Sequence, residues 1–530
     1  MSSKGSLMFV LHAHLPYVYH PGDIDIVEES WFFEAVVETY IPIISFIENL
    51  SRDGLHPSIA ISLSPTLSAM LENKELERKL SDYVAKRLKL ISKEKENVTN
   101  PVIRKTLDMY YNLYSSAEAT LDKYNGDLVG AFKQFSQAQL IEIMTTSATH
   151  AILPLLPRPE AVRAQMAVAA DDYLYRFNKK SRGFWLPECA YEKKLQTYLK
   201  LSGFEYTFLE AHALEKFDMG VYSPVSAGNN LKILARDVTS SRDIWSAQFG
   251  YPGDPNYREF YRDLGYDADP EYIKPYLGMG QGKKPVGLKY YRITGRDVAL
   301  SEKQLYDPVA AEETVKKHVE DFIEKRLKQC EEIYSHKNSK PVIIGCYDAE
   351  LFGHWWFEGP RFLETVIREI RNKRVPLQIV KPAEYIDSIG EPPVFEPEIS
   401  SWGEKGYFDA WLNESNDSVY SDIICVTDKM ISAATRFKNQ NLDRLNQRAL
   451  NQAAREVLLS QASDWPFLIY VNSHRTYAFS RIREHVSNAL LLLNQVFSKN
   501  IDEKFLSNVE NKNSIFPYID FRVFASASKF

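Results

Sequence analysis

Four short segments place ionisable side chains directly after an apolar run. They are FVLHAHLPY with His12 and His14, IMTTSATH with His150, GFWLPECAY with Glu188, and VIIGCYDAELFGHWW with Asp348 and Glu350. A single carboxylate at a strand end often only caps the next helix or meets an arginine, but four such segments together exceed what capping needs. Glu188 follows Trp185-Leu186-Pro187, an apolar, aromatic setting where an unpaired carboxylate is costly to bury and its pKa must move. Asp348 ends the run Val342–Tyr347. Two carboxylates brought by separate strands to one cleft can break a glycosidic bond: one attacks or stabilises the anomeric carbon, the other protonates the departing oxygen. Glu350 competes with Asp348, because residues i and i+2 share a face if the strand continues.

His12-Ala13-His14 supports two chemistries. An HxH at the end of a first barrel strand can present two imidazoles to a metal, as in metal-dependent amidohydrolases and deacetylases, with His150, Glu188 and Asp348 completing a shell. The same rings can bind sugar hydroxyls as donor and acceptor without metal. Trp185, Trp355 and Trp356 flank the carboxylates, while Trp402, Trp411 and the pair Asp464-Trp465 lie among other polar groups further on. Indole faces against a pyranose suit an oligosaccharide cleft, and each indole can equally be core. Arg258 and Arg262, four apart in GDPNYREFYRD, fall on one helical face, placed to hold a carboxylate ionised, bind hydroxyls, or pair with Glu259 or Asp263.

The elements that must position these groups read as alternating strands and helices. Strand-like runs occur at Ser6–Leu11, Ser58–Leu63, Leu140–Thr145, Gly183–Leu186, Tyr206–Leu209, Pro341–Tyr347 and Leu377–Val380. Seven such runs with helical stretches between them predict an α/β closed barrel of parallel strands, whose catalytic face is the strands' C-terminal end. Residues 73–135 turn rich in Lys, Glu, Leu and Tyr with helical spacing, which predicts a helical insertion between barrel segments 1–72 and 136–390. Beyond the proline-rich crossing EPPVFEPE, Leu442, Leu445, Ala449, Ala453 and Val457 recur at helical spacing, so 391–530 read as an all-helical domain.

Composition narrows the partners. A net charge of −6 offers no general attraction for nucleic acid or an anionic membrane. The four cysteines lie far apart with no CxxC pair, against a disulfide framework or structural zinc. Histidines interrupt the apolar opening before a secretory core develops, and no stretch approaches the ~18 consecutive apolar residues of a membrane span, so a cytoplasmic location is expected.

In this order and at these separations, HAHLPY, SATH, GFWLPECAY and YDAELFGHWWFEGP resemble the motif series of glycoside hydrolase family 57, most closely its 1,4-alpha-glucan branching enzymes and related alpha-amylases. The likeness also takes in IWSAQFGYPGDPNYREFYRD, SSWGEKGYFDAWLNESND and SQASDWPF, so it covers essentially the whole chain. It implies an incomplete (β/α)7 barrel with a helical insertion and a C-terminal helical domain. It also implies a retaining double displacement on an α-glucan such as amylose, glycogen or a starch-like polymer, with no metal or organic cofactor. Carried over by motif, Glu188 takes the nucleophile position and Asp348 that of the general acid/base. His12, His14, His150 and Asp464 take substrate-pocket positions, and Trp402, Trp411 and Trp465 aromatic positions around the cleft.

The resemblance implies cleavage of an α-1,4 bond and transfer of the chain to a 6-hydroxyl, giving an α-1,6 branch; transfer to water gives an amylase instead. Branching members carry a tyrosine-bearing loop that limits water access, and the segment matched to it here, Ser223–Ala247, has no tyrosine, which adds weight to hydrolysis. Two readings come from other classes. A metal-dependent deacetylase or amidohydrolase would require bound metal, and a non-catalytic glucan-binding protein would tolerate loss of Glu188 and Asp348.

Overall fold

The computed structural model describes residues 3–22, 26–228, 230–277, 284–373 and 375–526. Nine strands are laid down in chain order: β1 (Gly5–Ala13), β2 (Ile59–Leu63), β3 (Ile141–Thr146), β4 (Gly183–Trp185), β5 (Tyr206–Leu209), β6 (Val225–Ser226), β7 (Lys232–Ala235), β8 (Val342–Asp348) and β9 (Leu377–Ile379). The period-two alternation of a strand sorts their side chains into two layers. On β1, Leu7, Phe9 and Leu11 join the core shared with the surrounding helices. Met8 and Val10 instead meet Met144, Trp185, Phe208, Ile344 and Cys346 in an inner cluster enclosed by the sheet. Both faces are covered, which is why these strands read as continuous apolar runs.

The sheet runs β7-β5-β4-β3-β2-β1-β8, seven neighbouring strands all parallel, with the two-residue β6 antiparallel to β7 at the edge. The ends of this path do not form a ladder. Asp237 N donates to Ile344 O (2.8 Å) just beyond β7, the single backbone hydrogen bond across that seam among the described residues, so the barrel is incomplete, as the family resemblance implies, and not closed as the strand pattern alone predicts. Its seventh strand is not the expected one. Lys232–Ala235 takes that place, and Leu377–Ile379 lies off the path. Ser6 and Leu7 already pair with β8 on one edge, so β9 must take the other edge of β1, the edge that β2 occupies higher up from Val10 to Ala13. The segment Ser223–Ala247 is therefore not a free loop over the site: it holds β6, β7 and the helix Val238–Trp245.

The insertion is a hairpin of two long helices, Lys74–Asn97 and Pro101–Tyr124, followed by Leu128–Gln137, which ends near the expected boundary and packs back on β3. Asn73 and Asn100 cap the hairpin helices by accepting from the first-turn amides, Glu75 and Leu76 in one, Val102 and Ile103 in the other. Thr106 and Tyr110 donate to the carbonyls of Tyr306 (3.0 Å) and Lys289 (3.1 Å), so the hairpin braces the irregular chain between β7 and β8. Val27–Arg52 is the one described helix long and apolar enough to cross a bilayer, but 72% of its most apolar window is buried in this fold. A π-helical turn, Val36–Tyr40, interrupts it and turns Glu38 and Tyr40 inward. Within 391–530 the long helices begin only at Ser418. They are Ser418–Phe437, Arg444–Ser460, Asp464–Tyr470, Arg475–Ser498 and Glu503–Lys512. Ala449, Ala453 and Val457 are buried on the second of these, the face their spacing predicts.

Candidate active site

The parallel register sets the site. His12 stands level with Asp348 on β8 and Ser62 on β2, all at the C-terminal ends of their strands. Ser62 Oγ holds His12 Nδ1 at 3.2 Å, and Ser64 Oγ holds His14 Nδ1 at 3.0 Å. The far side of each ring reaches a different part of the chain. His12 Nε2 lies 2.8 Å from His150 Nε2, and His14 Nε2 lies 3.1 Å from Asp464 Oδ1. His150 Nδ1 in turn meets Ser463 Oγ at 2.8 Å. Trp185, expected to contact sugar, is instead fully buried beneath the site in the inner cluster, its indole stacked on His12 with centroids 4.9 Å apart and planes 15° off parallel. The C-terminal domain thus completes the mouth of the barrel through Ser463 and Asp464.

Glu188 sits just past β4 with φ 59° and ψ 23°; Cys189 (φ 51°) and His150 (φ 58°) share this left-handed conformation, unusual for residues with a Cβ. Such strain persists only where the surroundings enforce it. Here the loop around Trp402 does so: Trp402 N donates to Glu188 O (2.9 Å), Tyr191 N to Ser400 O (2.8 Å), and Trp402 Nε1 to Glu188 Oε2. The other oxygen, Oε1, stands 3.9 Å from His150 Nδ1.

Asp348 and Glu350 differ in placement because of where β8 stops. The strand ends at Asp348 and a 3-10 turn, Ala349–Leu351, follows, so the i, i+2 face is not continued. Asp348 is part-exposed, and among the described residues its side chain takes no hydrogen bond. Glu350 is buried and occupied, accepting from Tyr40 Oη and from His14 N (3.2 Å). The loop beyond is clamped by Glu38, which takes His354 Nδ1 at 2.9 Å and Arg258 at 2.9 Å. Only glycine fits at Gly353 (φ 112°), where a Cβ would stand 1.7 Å from Glu38 O.

Burial holds His12 and His150 well below the usual histidine range, so both rings are neutral at pH 7 and can act as donor and acceptor toward a hydroxyl. Burial first, and then the charge of Asp348, push Glu188 up to about 8, against the stabilising bond from Trp402. Burial also lifts Asp348 to about 6, although His14 and Arg236 oppose it. Glu350, beside Asp348, is raised to about 8 as well, by burial first and then by the charge of Asp348, so the carboxyls of the site titrate as a coupled group.

Several expected contacts lie elsewhere. Trp356 (1% exposed), Trp411 (2%) and Trp465 (0%) are core residues and offer no ring face to a polymer. Trp356 packs on Tyr257 and Phe362, Trp411 joins a cluster with Ile152 and Ala190, and Trp465 Nε1 donates to Leu459 O. Trp402 is the expected indole that lies against a carboxylate of the site, and Trp355 is the exposed one, stacked on Phe260 at 4.5 Å. The helical face expected for Arg258 and Arg262 does not form, because Pro252, Gly253 and Pro255 hold the preceding chain in turns and Arg258 enters a bridge with Arg292 instead. Arg258 is buried on Glu38, and Arg262 pairs with Asp267 at 2.8 Å. Two residues were not anticipated. Glu210 and Arg236, ion-paired, follow β5 and β7 immediately, and Arg236 lies 5.4 Å over the Trp402 ring. The strand-end pattern that marked Glu188 also marks Glu210.

His14, His150 and Asp464 could hold a divalent cation, since one ligand atom from each lies within 4.8 Å of the others. In this structure those groups are bonded to protein partners: His14 to Asp464, and His150 to His12 and Ser463.

Comparison with known proteins agrees with this geometry. Residues 8–398 match glycosyl hydrolase family 57, and residues 423–524 match the family described as 1,4-alpha-glucan branching enzyme, C-terminal. A 1,4-alpha-glucan branching enzyme of Thermococcus kodakarensis is 31% identical over 97% of this chain and 77% of its own. The structure of an alpha-amylase, AmyC of Thermotoga maritima, superimposes with a TM-score of 0.92 at 36% identity, covering 99% of this chain and 100% of that one. A branching enzyme of Pyrococcus horikoshii superimposes with a TM-score of 0.89 at 31% identity, covering 99% and 97%. With the family match spanning the barrel and both carboxylates, this chain belongs to glycosyl hydrolase family 57.

Proposed function

We propose that the protein is a 1,4-alpha-glucan branching enzyme working by retaining double displacement. The observation that carries the chemistry is the placement of Glu188, just past β4, and Asp348, at the end of β8, at one barrel mouth, with Trp402 holding the first. Glu188, oriented by Trp402, attacks C1 of an α-1,4-linked glucose, and Asp348, whose side chain takes no hydrogen bond among the described residues, protonates the departing O4. In the empty site Glu188 binds the proton more tightly than Asp348. Positive charge developing at C1 beside Glu188 favours its ionised form, which leaves the proton on Asp348 when it is needed. Asp348 then takes the proton of the incoming 6-hydroxyl as the glycosyl-enzyme is resolved. The neutral imidazoles of His12 and His150 are placed to bind hydroxyls of the bound sugar.

Transfer rather than hydrolysis is supported by the branching-enzyme match of residues 423–524, the domain that supplies Asp464. Ser223–Ala247, matched to the shielding loop, is barrel strand and helix and carries no tyrosine, so it lends transfer no support. Predominant hydrolysis is the second reading, favoured by the likeness to a structure described as an alpha-amylase. Incubation with amylose separates them. A gain of α-1,6 anomeric proton signal with few new reducing ends, absent with Glu188→Ala, is expected; reducing ends without α-1,6 linkages would make it an amylase.

A further inference from the structure

At the opposite end of the barrel from Glu188 and Asp348 the sheet splits. β9 occupies the edge of β1 at Gly5–Leu7, and β2 joins that edge only from Val10, so below Ile59 the strands part. The gap opens into a cavity of about 850 Å3 walled by the chain entering β2, β3 and β4, by β9, and by the helix Pro382–Ser388. Five cationic side chains line it against three carboxylates.

Those carboxylates are already engaged. Glu142 accepts from Tyr206 Oη and Ala383 N, and Asp387 takes Arg182 in a two-point pair, leaving Glu384 at 3.7 Å from Lys381. Lys179 and Arg371 make no ion pair among the described residues. Lys179 donates to Ser136 Oγ (2.8 Å), and Arg371 to Ser58 Oγ (2.9 Å) and Ile379 O (3.3 Å), while Arg371 Nε is buried without a partner. Lys381 spends its ammonium on Gln139 O (2.7 Å). Each serine oxygen that accepts from a cation keeps its own O–H to donate. Cations and hydroxyl donors around one space match the charge and acceptor oxygens of a phosphate monoester. The volume exceeds what a bare phosphate fills, and the amides of Gln139 and Gln378 add groups suited to hydroxyls.

We propose that this cavity binds a phosphorylated sugar, at a site separate from the one that cleaves glucan. Calorimetric titration of the whole chain at fixed ionic strength would use glucose 6-phosphate, inorganic phosphate and glucose as probes. One saturable site for glucose 6-phosphate is expected, with inorganic phosphate weaker and glucose not binding there. Lys179→Gln and Arg371→Gln should each lower that affinity at least tenfold, while Glu188→Gln binds as the parent does. Should Arg371→Gln fail to fold, Lys179→Gln carries the test, since Lys179 is exposed to solvent. Absence of saturable binding, an affinity unchanged in the lysine variant, or inorganic phosphate binding as tightly as the ester would each overturn the assignment.

Discussion

Replacing Glu188, the proposed nucleophile, should make this protein more stable, and by an amount that depends on pH. Burial and Asp348 raise Glu188 from 4.5 to about 8, so the folded state holds its proton more tightly than the unfolded chain does. The penalty is absent below pH 4.5, grows as pH rises, and is complete above about 8. At pH 7 the unfolded carboxyl is ionised and the folded one is not, a difference of roughly 2.5 pH units, or about 3 kcal/mol against folding. With a side chain 23% exposed, Glu188 keeps most of that penalty. Glu188→Gln removes the titration while leaving an oxygen that can accept from Trp402 Nε1. For 530 residues the unfolding entropy near the midpoint is about 1.1 kcal/mol per kelvin, so the variant should melt about 2–3 °C higher at pH 7. At pH 4.5 the gain should shrink to a few tenths of a degree. Differential scanning calorimetry of parent and variant at both values reads this directly. A variant that melts at or below the parent at pH 7, or a gain of equal size at pH 4.5, would refute the account of Glu188 as a strained, buried carboxyl.

The same pair predicts a bell-shaped pH profile of kcat/KM with limbs near 6 and 8, activity falling below the first as both carboxyls protonate and above the second as both ionise; a rate flat between pH 5 and 9 would contradict it. Trp402→Phe deletes the donor to Glu188 Oε2, and kcat should fall about ten- to a hundredfold in steady-state assays on maltooligosaccharides, the value of one hydrogen bond to a charged group. Arg258→Ala leaves Glu38 buried without its cation and should destabilise by about 3–5 kcal/mol, a midpoint drop of several degrees by calorimetry. Prolonged EDTA treatment should leave the initial rate unchanged; loss of rate restored by a divalent cation would show that His14, His150 and Asp464 hold a metal.

How far the residues alone disclosed this site depends on the kind of signal each leaves. A strand buried on both faces needs a run of apolar residues, and β1 and β8 each announce theirs, so the runs themselves put His12 and Asp348 at strand ends. β7 escaped notice because its four residues lie between asparagines and an Arg-Asp pair, while LQIV of β9 looked the better strand although it never enters the main path. A spacing of four carries helical meaning only in a helix, and the prolines before Arg258 remove one. The indoles are the hardest case. Trp402 and Trp411 lie nine residues apart, both among polar groups, yet one holds Glu188 and the other is core, a distinction made by tertiary contacts that no local pattern encodes.

Ser463 and Asp464 grip His150 and His14 from the far end of the chain, more than 300 residues beyond His150. Glu188 and Asp348 lie within residues 8–398 and leave the ribosome well before those two partners do. A chain made only as far as residue 398 would hold Glu188 and Asp348 but neither Ser463 nor Asp464, the partners of the two imidazoles.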